Sequence, residues 1–301
     1  MNIFYNFEEQ RLRAGWRLLL QFLLMIFLLY AGQMLISYGT DQPGFLLGRL
    51  PGAFAFVLST WIAVRFLDNR PFAALGLAFD KRWWSELGVG IGMGALAMGC
   101  IFVLQLLMGW LTFSGFGWER AWSVAYPLPL LGYLAGMLLV GFYEELMFRG
   151  YQITNMIEGF SYSKKSYTTV VFLAIAVSSI LFGIMHAGNP NASAVSTVNI
   201  ILAGIVLALP YLFTGSLALS CGIHAAWNFF QGGIFGFPVS GSPSRSSLLQ
   251  VNETGPDLFT GGRFGPEAGL LGLIGLCLIV LMTYQYIRAE GYTLGLHDNF
   301  K

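Results

Sequence analysis

Long apolar runs recur along almost the whole chain, and they constrain its fold more than any other feature. A helix needs about 20 apolar residues to cross the hydrocarbon core of a bilayer. Eight runs approach or reach this length, and the shortest contains glycine, which predicts a broken or partly inserted helix. Because backbone groups inside a bilayer must be satisfied locally, these runs predict helices. The predicted spans are 16–37, 46–67, 87–110, 127–148 with a helical extension, 168–187, 194–213, 216–232 and 267–288.

The composition agrees with this interpretation. Only 10% of the 301 residues are charged and the mean hydropathy is +0.66, whereas soluble domains are about 25% charged. The 16 basic and 15 acidic residues nearly cancel, so no nucleic-acid partner is expected. The three cysteines lie in apolar stretches without metal-like spacing and are expected to be small buried residues. We therefore predict an all-α fold, a polytopic membrane bundle of about eight transmembrane helices that forms one transmembrane domain over 1–301.

The distribution of Lys and Arg predicts the orientation in the membrane. With Arg149 set aside, eleven basic residues lie on the side of the two termini and four on the other side. Because cytoplasmic loops carry an excess of Lys and Arg, both termini are predicted to lie in the cytoplasm of a multi-pass protein of the plasma membrane. Aromatic and basic residues over 72–84 predict an interfacial helix on the cytoplasmic face. The segment 233–266 is rich in Gly, Ser and Pro and predicts an external loop.

Two adjacent glutamates and an arginine interrupt the fourth apolar run. Each ionisable residue at the bilayer centre costs about 2.5 to 3.5 kcal/mol even on a lenient scale, and such residues usually mark functional sites. Arg149 follows Glu145 by four positions, so the two can pair along one helix face. Glu144 lies about 100° around the helix, where Arg149 helps it less. Glu144 is therefore expected to face the interior of the bundle.

Two histidines fall between Lys165 and Arg245, in a stretch without any Asp, Glu, Lys or Arg. His186 follows Phe182 by one helical turn, so that the ring can hold the imidazole in place. His224 and Asn228 have the i, i+4 spacing that puts two side chains on one helix face. A single buried His or Asn is more often a packing contact than a catalytic group. Several such groups on three separate helices instead favour one shared site.

Three short patterns, in this order, resemble the motifs of the CAAX prenyl protease type II family. Its bacterial members are called the CPBP (CAAX proteases and bacteriocin-processing enzymes) or Abi family. The patterns are Glu-Glu-x-x-x-Arg at 144–149, Phe-x-x-x-His at 182–186 and His-x-x-x-Asn at 224–228. The turn Thr-Gly-Ser-Leu at 214–217 is also typical of these proteins. The resemblance is strong over 126–232, which we interpret as a catalytic core within the larger transmembrane domain.

The resemblance implies an intramembrane endopeptidase that cleaves a peptide bond in a membrane-associated peptide or protein. It implies that Glu144 and His186 hold and deprotonate a water molecule, and that His224 and Asn228 donate hydrogen bonds to the oxyanion. This agrees with the needs of hydrolysis, which are a base for the water and preorganised donors for the developing charge. The features typical of bacterial members point to processing or immunity-type roles, which do not require a prenyl group on the substrate. The supporting residues that the resemblance implies are Glu145, Arg149 and Phe182.

Cofactor use stays open between two chemistries. Two histidines and a glutamate are also a familiar Zn²⁺ ligand set, so Glu144, His186 and His224 form an alternative zinc site. The helical His-Glu-x-x-His pattern is absent, however, and these ligands would come from three separate helices. The resemblance favours water activated by a glutamate, and no cofactor is the first expectation.

Two other classes of function also remain open. A non-proteolytic membrane scaffold or immunity protein could use the same fold, although it would have no need for the complete motif set. A proton-coupled transporter would also bury Glu and His inside the membrane, but such proteins usually contain repeated halves, and the chain has no internal repeat.

The depth of the two glutamates in the membrane requires a longer fourth helix than the apolar run alone predicts. If this helix ended just after Glu145, the carboxylates would lie near the cytoplasmic face, most of a bilayer away from His186. A shared site therefore requires that the helix continue to about Met156, as a long tilted helix can.

Overall fold

The computed structural model describes residues 2–40, 44–120, 127–161, 166–244, 246–293, 295–297 and 300. Helices account for most of these residues. In chain order they are α1 (Ala14–Gly39), α2 (Phe45–Ile62), α3 (Lys81–Leu107), α4 (Gly117–Arg120), α5 (Pro127–Glu145), α6 (Thr154–Ser161), α7 (Tyr167–His186), α8 (Ala194–Thr214), α9 (Ala218–Asn228), α10 (Asp257–Thr260) and α11 (Leu270–Ala289). Short strands complete the fold: β1 (Tyr5–Asn6), β2 (Arg11–Leu12), β3 (Leu111–Phe116) and β4 (Leu249–Glu253).

Seven of the helices in the described part of the chain are long and apolar enough to cross a membrane. Two of them include neighbouring elements, since a π-helix at Ala63–Leu67 extends α2, and α5 and α6 belong to one helix. The protein is therefore a multi-pass membrane protein, and the prediction of an all-α polytopic helical bundle is confirmed. The apolar side chains that remain exposed on these helices are the ones a lipid bilayer would cover.

The helix that carries the two glutamates runs without interruption from Pro127 to Ser161, over 35 residues. Between α5 and α6 it adopts a π-helical conformation at Leu146–Ile153, which begins directly after Glu145. Short π-helical segments within α-helices occur frequently at functional sites. The structure thus contains the extension that the depth of Glu144 requires.

The predicted span 216–232 differs most from a spanning helix. Here α9 has only 11 residues and continues as a π-helix at Phe229–Ile234. Residues 218–227 are all buried, so the other helices enclose α9 and it faces no lipid. It nevertheless connects the two ends of the bundle. Leu217, just before it, donates its backbone N–H to Gly76 at one end, and Gly241, farther on, accepts from Asn191 at the other.

Glycines allow α9 to approach α3 very closely. A Cβ atom on Gly222 would lie 2.3 Å from the carbonyl oxygen of Leu87, and one on Gly90 would lie 2.4 Å from that of Leu219. Any side chain at these positions would collide with backbone. Small residues at such contacts let the backbones of membrane helices pack together, which fixes the position of α9 against α3.

Both terminal segments lie at the same end of the bundle. Near the N-terminus, buried Arg17 binds Asp68, with 2.6 Å between Nη1 and Oδ1. Near the C-terminus, the backbone N–H of His297 donates to Leu212 at the end of α8. The structure therefore places both terminal segments on the same side, as predicted. The cytoplasmic location of that side stays a prediction. Some of the basic residues used for that prediction lie outside the described part of the chain: Lys164, Lys165, Arg245, Lys301 and the side chain of Arg120.

The predicted interfacial helix over 72–84 is much shorter than expected. The structure has a 3-10 helix at Phe72–Leu75, which ends at Gly76 in the left-handed conformation with φ 82°. A new helix, α3, then begins at Lys81, because the Asp80 side chain accepts a hydrogen bond from the Trp83 backbone N–H and caps it. The Trp83 and Trp84 side chains thus belong to the first turn of a spanning helix.

The predicted external loop 233–266 contains the strand β4 and the short helix α10. Its strand β4 pairs antiparallel with β3 from the connection between α3 and α5, and Leu111 lies opposite Glu253. Two 3-10 turns, Gly262–Phe264 and Pro266–Ala268, then lead the chain into α11. The second turn brings Glu267 to the edge of the bundle interior, where it is buried.

Candidate active site

A cavity of about 240 Å³ lies inside the bundle. Glu144 on α5, His186 on α7, and His224 and Asn228 on α9 all line it. The structure therefore brings the four residues with predicted catalytic roles to one place from three helices, while the roles themselves stay predictions. The cavity has room for several water molecules, since one water occupies about 30 Å³ in the liquid.

Glu145 orients His224. Its carboxylate is fully buried, and Oε1 lies 2.8 Å from His224 Nδ1 and 3.1 Å from Arg149 Nη1. Because an ionised carboxylate can only accept a hydrogen bond, Nδ1 of His224 carries a proton. The other ring nitrogen, Nε2, points toward Glu144 and lies 3.8 Å from Oε2 of that side chain.

Arg149 and Phe182 pack against the residues that surround Glu145 and His224. Arg149 donates to the backbone carbonyl of Gly204 at 3.2 Å, and its guanidinium lies over the Phe182 ring, 4.4 Å from the centroid. The same ring contacts His186, with centroids 4.7 Å apart, and His224, with centroids 6.1 Å apart. The predicted pair of Glu145 and Arg149 and the predicted contact of Phe182 with His186 are both present.

His186 is the last residue of α7, and one hydrogen bond fixes its ring. Nδ1 lies 2.8 Å from the carbonyl oxygen of Phe182 one turn earlier. Since a carbonyl cannot donate, Nδ1 must be the protonated nitrogen. In the neutral ring, Nε2 then keeps its lone pair and can accept a proton or a hydrogen bond. No ion-pair contact of up to 4.0 Å joins His186 to Glu144 in the described structure, and both side chains line the cavity.

Glu144 has fewer close hydrogen-bonding and ion-pair partners than the adjacent Glu145. Its side chain is 15% exposed, and Oε2 is buried without a hydrogen-bond partner in the described structure. The Oε2 atom of Glu145 is likewise buried without a hydrogen-bond partner in the described structure, but its Oε1 has both His224 and Arg149. Buried charges are tolerated when they are balanced. A protonated His224 together with Arg149 would balance the two carboxylates, and it would give His224 a proton on both ring nitrogens.

The alternative zinc site does not fit this arrangement as it stands. No three His, Cys, Asp or Glu side chains within the described ranges are grouped so that they could hold a metal ion. Glu144 and His224 lie 3.8 Å apart, but His186 does not complete a ligand set with them.

Several residues of the cavity wall were missed by the sequence interpretation. Arg49 was counted among the residues of an external loop, yet it lies in the second turn of α2 and lines the cavity. Glu267 also lines it, and accepts hydrogen bonds from the Ser240 backbone and hydroxyl and from Gln231. Burial raises the pKa of the Glu267 carboxyl, and these hydrogen bonds offset part of the rise. An arginine inside an apolar run was the available signal for Arg49; nothing local marked Glu267.

Comparisons with known proteins agree with the motifs. Residues 126–230 match the family model described as Type II CAAX prenyl endopeptidase Rce1-like. The chain is also 28% identical over 176 residues to the uncharacterized protein YyaK of Bacillus subtilis (strain 168). That alignment covers 56% of this chain and 54% of the relative, so the chain spans about half the length of the curated relative it matches. No solved structure matches. Residues 126–230 of this chain are thus similar to the type II CAAX prenyl endopeptidase Rce1-like family, and the three motifs lie within the matched range.

Proposed function

We propose that the protein is an intramembrane endopeptidase that hydrolyses a peptide bond in a membrane-associated peptide or protein. One observation carries the proposal: Glu144, His186, His224 and Asn228 reach one cavity from three helices of a membrane-spanning bundle. Polar and ionisable groups at this depth are costly and usually serve a function. The match of residues 126–230 to a family of endopeptidases supports the same class of reaction.

In the proposed first step, a water molecule between Glu144 and His186 attacks the carbonyl carbon of the substrate. Glu144 takes a proton from this water, because it lines the cavity and its Oε2 has no hydrogen-bond partner in the described protein. The lone pair on His186 Nε2 accepts a second hydrogen bond from the water and orients it. The new C–O bond converts the carbonyl oxygen into an oxyanion.

In the proposed second step, His224 and Asn228 stabilise the oxyanion and the intermediate collapses. His224 donates from Nε2 in its doubly protonated form, in which Nδ1 donates to Glu145, and Asn228 donates from its side-chain amide. Preorganised donors of this kind are typically worth 10² to 10³ in rate. Glu144 then passes its proton to the leaving nitrogen as the C–N bond breaks, which regenerates the carboxylate and releases an acid and an amine.

The proposed setting is the plasma membrane, with both termini in the cytoplasm. The positive-inside rule supports this orientation, as does the position of both terminal segments at one end of the bundle. The proposed partners are the lipid bilayer and a peptide or protein substrate that reaches the cavity from it. No cofactor is included in the proposal.

The test is cleavage of lipid-anchored peptides by the purified full-length protein in phosphatidylcholine vesicles. A panel of fluorescence-quenched peptides, with acyl or prenyl anchors, would be incubated with wild-type protein, and mass spectrometry would locate the bond that breaks. We expect Glu144→Gln to lose at least about 10² in turnover, because the amide keeps the shape of the side chain but cannot take a proton. The matched control is Glu8→Gln, which removes a carboxylate from an exposed position near the N-terminus.

The outcomes separate the proposal from its alternatives. Near-wild-type turnover in Glu144→Gln would remove this residue as the general base. A wild-type protein that binds the peptides but cleaves none of them would favour the scaffold or immunity role. Cleavage that is lost in Glu144→Gln and kept in Glu8→Gln supports glutamate-activated hydrolysis.

A further inference from the structure

Arg49 carries a positive charge on the cavity wall that the proposed hydrolysis does not use. It is the one arginine or lysine among the described residues that line the cavity. No carboxylate of the described protein lies within ion-pair distance of its guanidinium. The guanidinium instead lies over an aromatic ring, with Cζ 4.8 Å from the centroid of Phe45. A charge held this way inside a bundle has the capacity to bind an anion.

The side chain of Arg49 is held in place before any ligand arrives. Its stem passes over Gly136 of α5, where an added Cβ would lie 3.7 Å from Arg49 Cγ and 2.6 Å from Phe45 Cε1. The Phe45 ring in turn packs on Tyr133, with centroids 4.3 Å apart. A glycine at 136 thus makes the room in which Phe45 and Arg49 lie. Preorganisation of this kind lowers the entropy cost of binding.

Two acidic residues, Glu144 and Glu267, line the cavity with Arg49, and Glu267 is engaged elsewhere. Its two carboxylate oxygens accept hydrogen bonds from Ser240 and Gln231. Burial raises the pKa of this carboxyl, which favours the neutral form. The charge of Arg49 therefore remains available to a ligand.

The helix α5 sets the distance between Arg49 and the proposed reaction centre. Gly136, which contacts the Arg49 stem, precedes Glu144 by eight positions. At 1.5 Å per residue this separates the two levels by about 12 Å along the helix. An extended peptide advances about 3.3 Å per residue, so three to four substrate residues would cover the same distance.

We propose that Arg49 binds a carboxylate of the substrate, located three to four residues from the bond that is cleaved. The carboxylate belongs either to the C-terminus of the substrate or to an Asp or Glu side chain. Arginine suits this role because its planar fork forms two parallel hydrogen bonds with a carboxylate. Arg49 would thereby determine which peptides are accepted and which bond is placed beside Glu144. The inference deepens the proposed endopeptidase function and rests on it.

The test measures binding and cleavage separately, so that failure of either can be recognised. Short acylated fluorescent peptides in phosphatidylcholine vesicles would be prepared in three forms: with a free C-terminal carboxylate, with a C-terminal amide, and with the amide plus one internal Asp. Their affinity for wild-type protein, Arg49→Gln and Arg49→Lys would be measured by fluorescence anisotropy. The matched control is Arg65→Gln, which removes the same charge from an exposed position outside the cavity.

We expect one carboxylate form to bind wild-type protein about 10- to 100-fold more tightly than the plain amide, which is the usual value of a charge-assisted hydrogen bond. Arg49→Gln should lose this preference, Arg49→Lys should keep part of it, and Arg65→Gln should keep all of it. The form that is preferred, C-terminal or internal, identifies the source of the carboxylate.

Equal binding of all three forms to wild-type protein, or no binding of any of them, would overturn the assignment of Arg49. So would a preference that survives in Arg49→Gln. Cleavage of peptides without any carboxylate preference would leave the hydrolysis standing and remove the role of Arg49. If the protein prefers carboxylate peptides through Arg49 but cleaves no peptide, the role of Arg49 in binding would stand and the proposed hydrolysis would be removed.

Discussion

The unsupported carboxylate of Glu144 leads to a prediction about stability that needs no substrate. In the wild-type protein, Oε2 of Glu144 is buried without a hydrogen-bond partner in the described structure, and a second carboxylate follows directly in the chain. Glu144→Gln removes the charge and keeps the size of the side chain. We therefore expect this substitution to stabilise the protein, although it abolishes the proposed reaction. Such a trade between stability and activity is common at functional sites.

The magnitude follows from what the carboxylate lacks. A buried polar group without a protein partner costs up to about 1 to 3 kcal/mol, and water in the cavity offsets part of this cost. Because the Glu144 side chain is 15% exposed, we take the lower half of this range, about 1 to 2 kcal/mol. One kcal/mol shifts the melting temperature of a large domain by about 2 °C. Glu144→Gln should thus raise the apparent melting temperature by about 2 to 4 °C on the same scale.

The neighbouring residue provides the matched control. Glu145→Gln makes the same chemical change one position later, at a carboxylate that is bound by both His224 and Arg149. Removing one member of a buried charged cluster costs about 3 to 5 kcal/mol. We therefore expect Glu145→Gln to lower the melting temperature by at least about 6 °C.

The assay is thermal unfolding in detergent, followed through the fluorescence of the eight tryptophans. All variants would be heated at one scan rate, since membrane proteins often unfold irreversibly and the apparent midpoint then depends on that rate. A decrease for Glu144→Gln as large as that for Glu145→Gln would refute the reasoning, because it would show that Glu144 has a structural partner.

Three further predictions concern packing, charge and metal. Gly90→Ala should destabilise the protein by about 1 to 3 kcal/mol through overpacking, because the new Cβ would lie 2.4 Å from a backbone oxygen of α9; Gly92→Ala, with no atom within 4 Å, should have no such effect on the melting temperature. Arg17→Met should cost about 3 to 5 kcal/mol, since Arg17 is fully buried and binds two carboxylates, whereas the exposed Arg65→Met should be nearly neutral in the same unfolding assay. Peptide cleavage should survive phenanthroline, with elemental analysis of the purified protein as the accompanying measurement; stoichiometric zinc that is lost and restored together with activity would contradict this.

The parts of the site that are local in sequence could be predicted, and those that depend on tertiary packing could not. The pairing of Glu145 with Arg149 and the contact of Phe182 with His186 follow from the i, i+4 geometry of one helix. The continuation of the fourth helix beyond Glu145 followed from the need to bring Glu144 and His186 together. No local pattern, however, specified that Nδ1 of His224 would face Glu145, because α5 and α9 supply the two groups.

In the fold, too, local features could be predicted from the sequence and features set by tertiary packing could not. Hydropathy alone identified the long helices, since their length and composition are local properties. It gave no means of recognising that α9 is enclosed, because the glycines of α3 that admit it lie more than 100 positions earlier in the chain. The interfacial helix was overestimated because the Asp80 cap, a single side chain, starts α3 at Lys81.

The shortness of α9 has a consequence for how the protein is made. A helix of 11 residues rises about 16 Å, roughly half the thickness of the hydrocarbon core, so lipid alone cannot accommodate it. It is stable only after α3, α5 and α8 have formed the space around it, and Trp227 at its end also contacts Gly275 of α11, which is synthesised later. Of the four proposed catalytic residues, His224 and Asn228 therefore reach the cavity last. A nascent chain that is still being inserted next to other membrane proteins would hold an incomplete set of polar groups, and the complete set would exist only in the finished molecule.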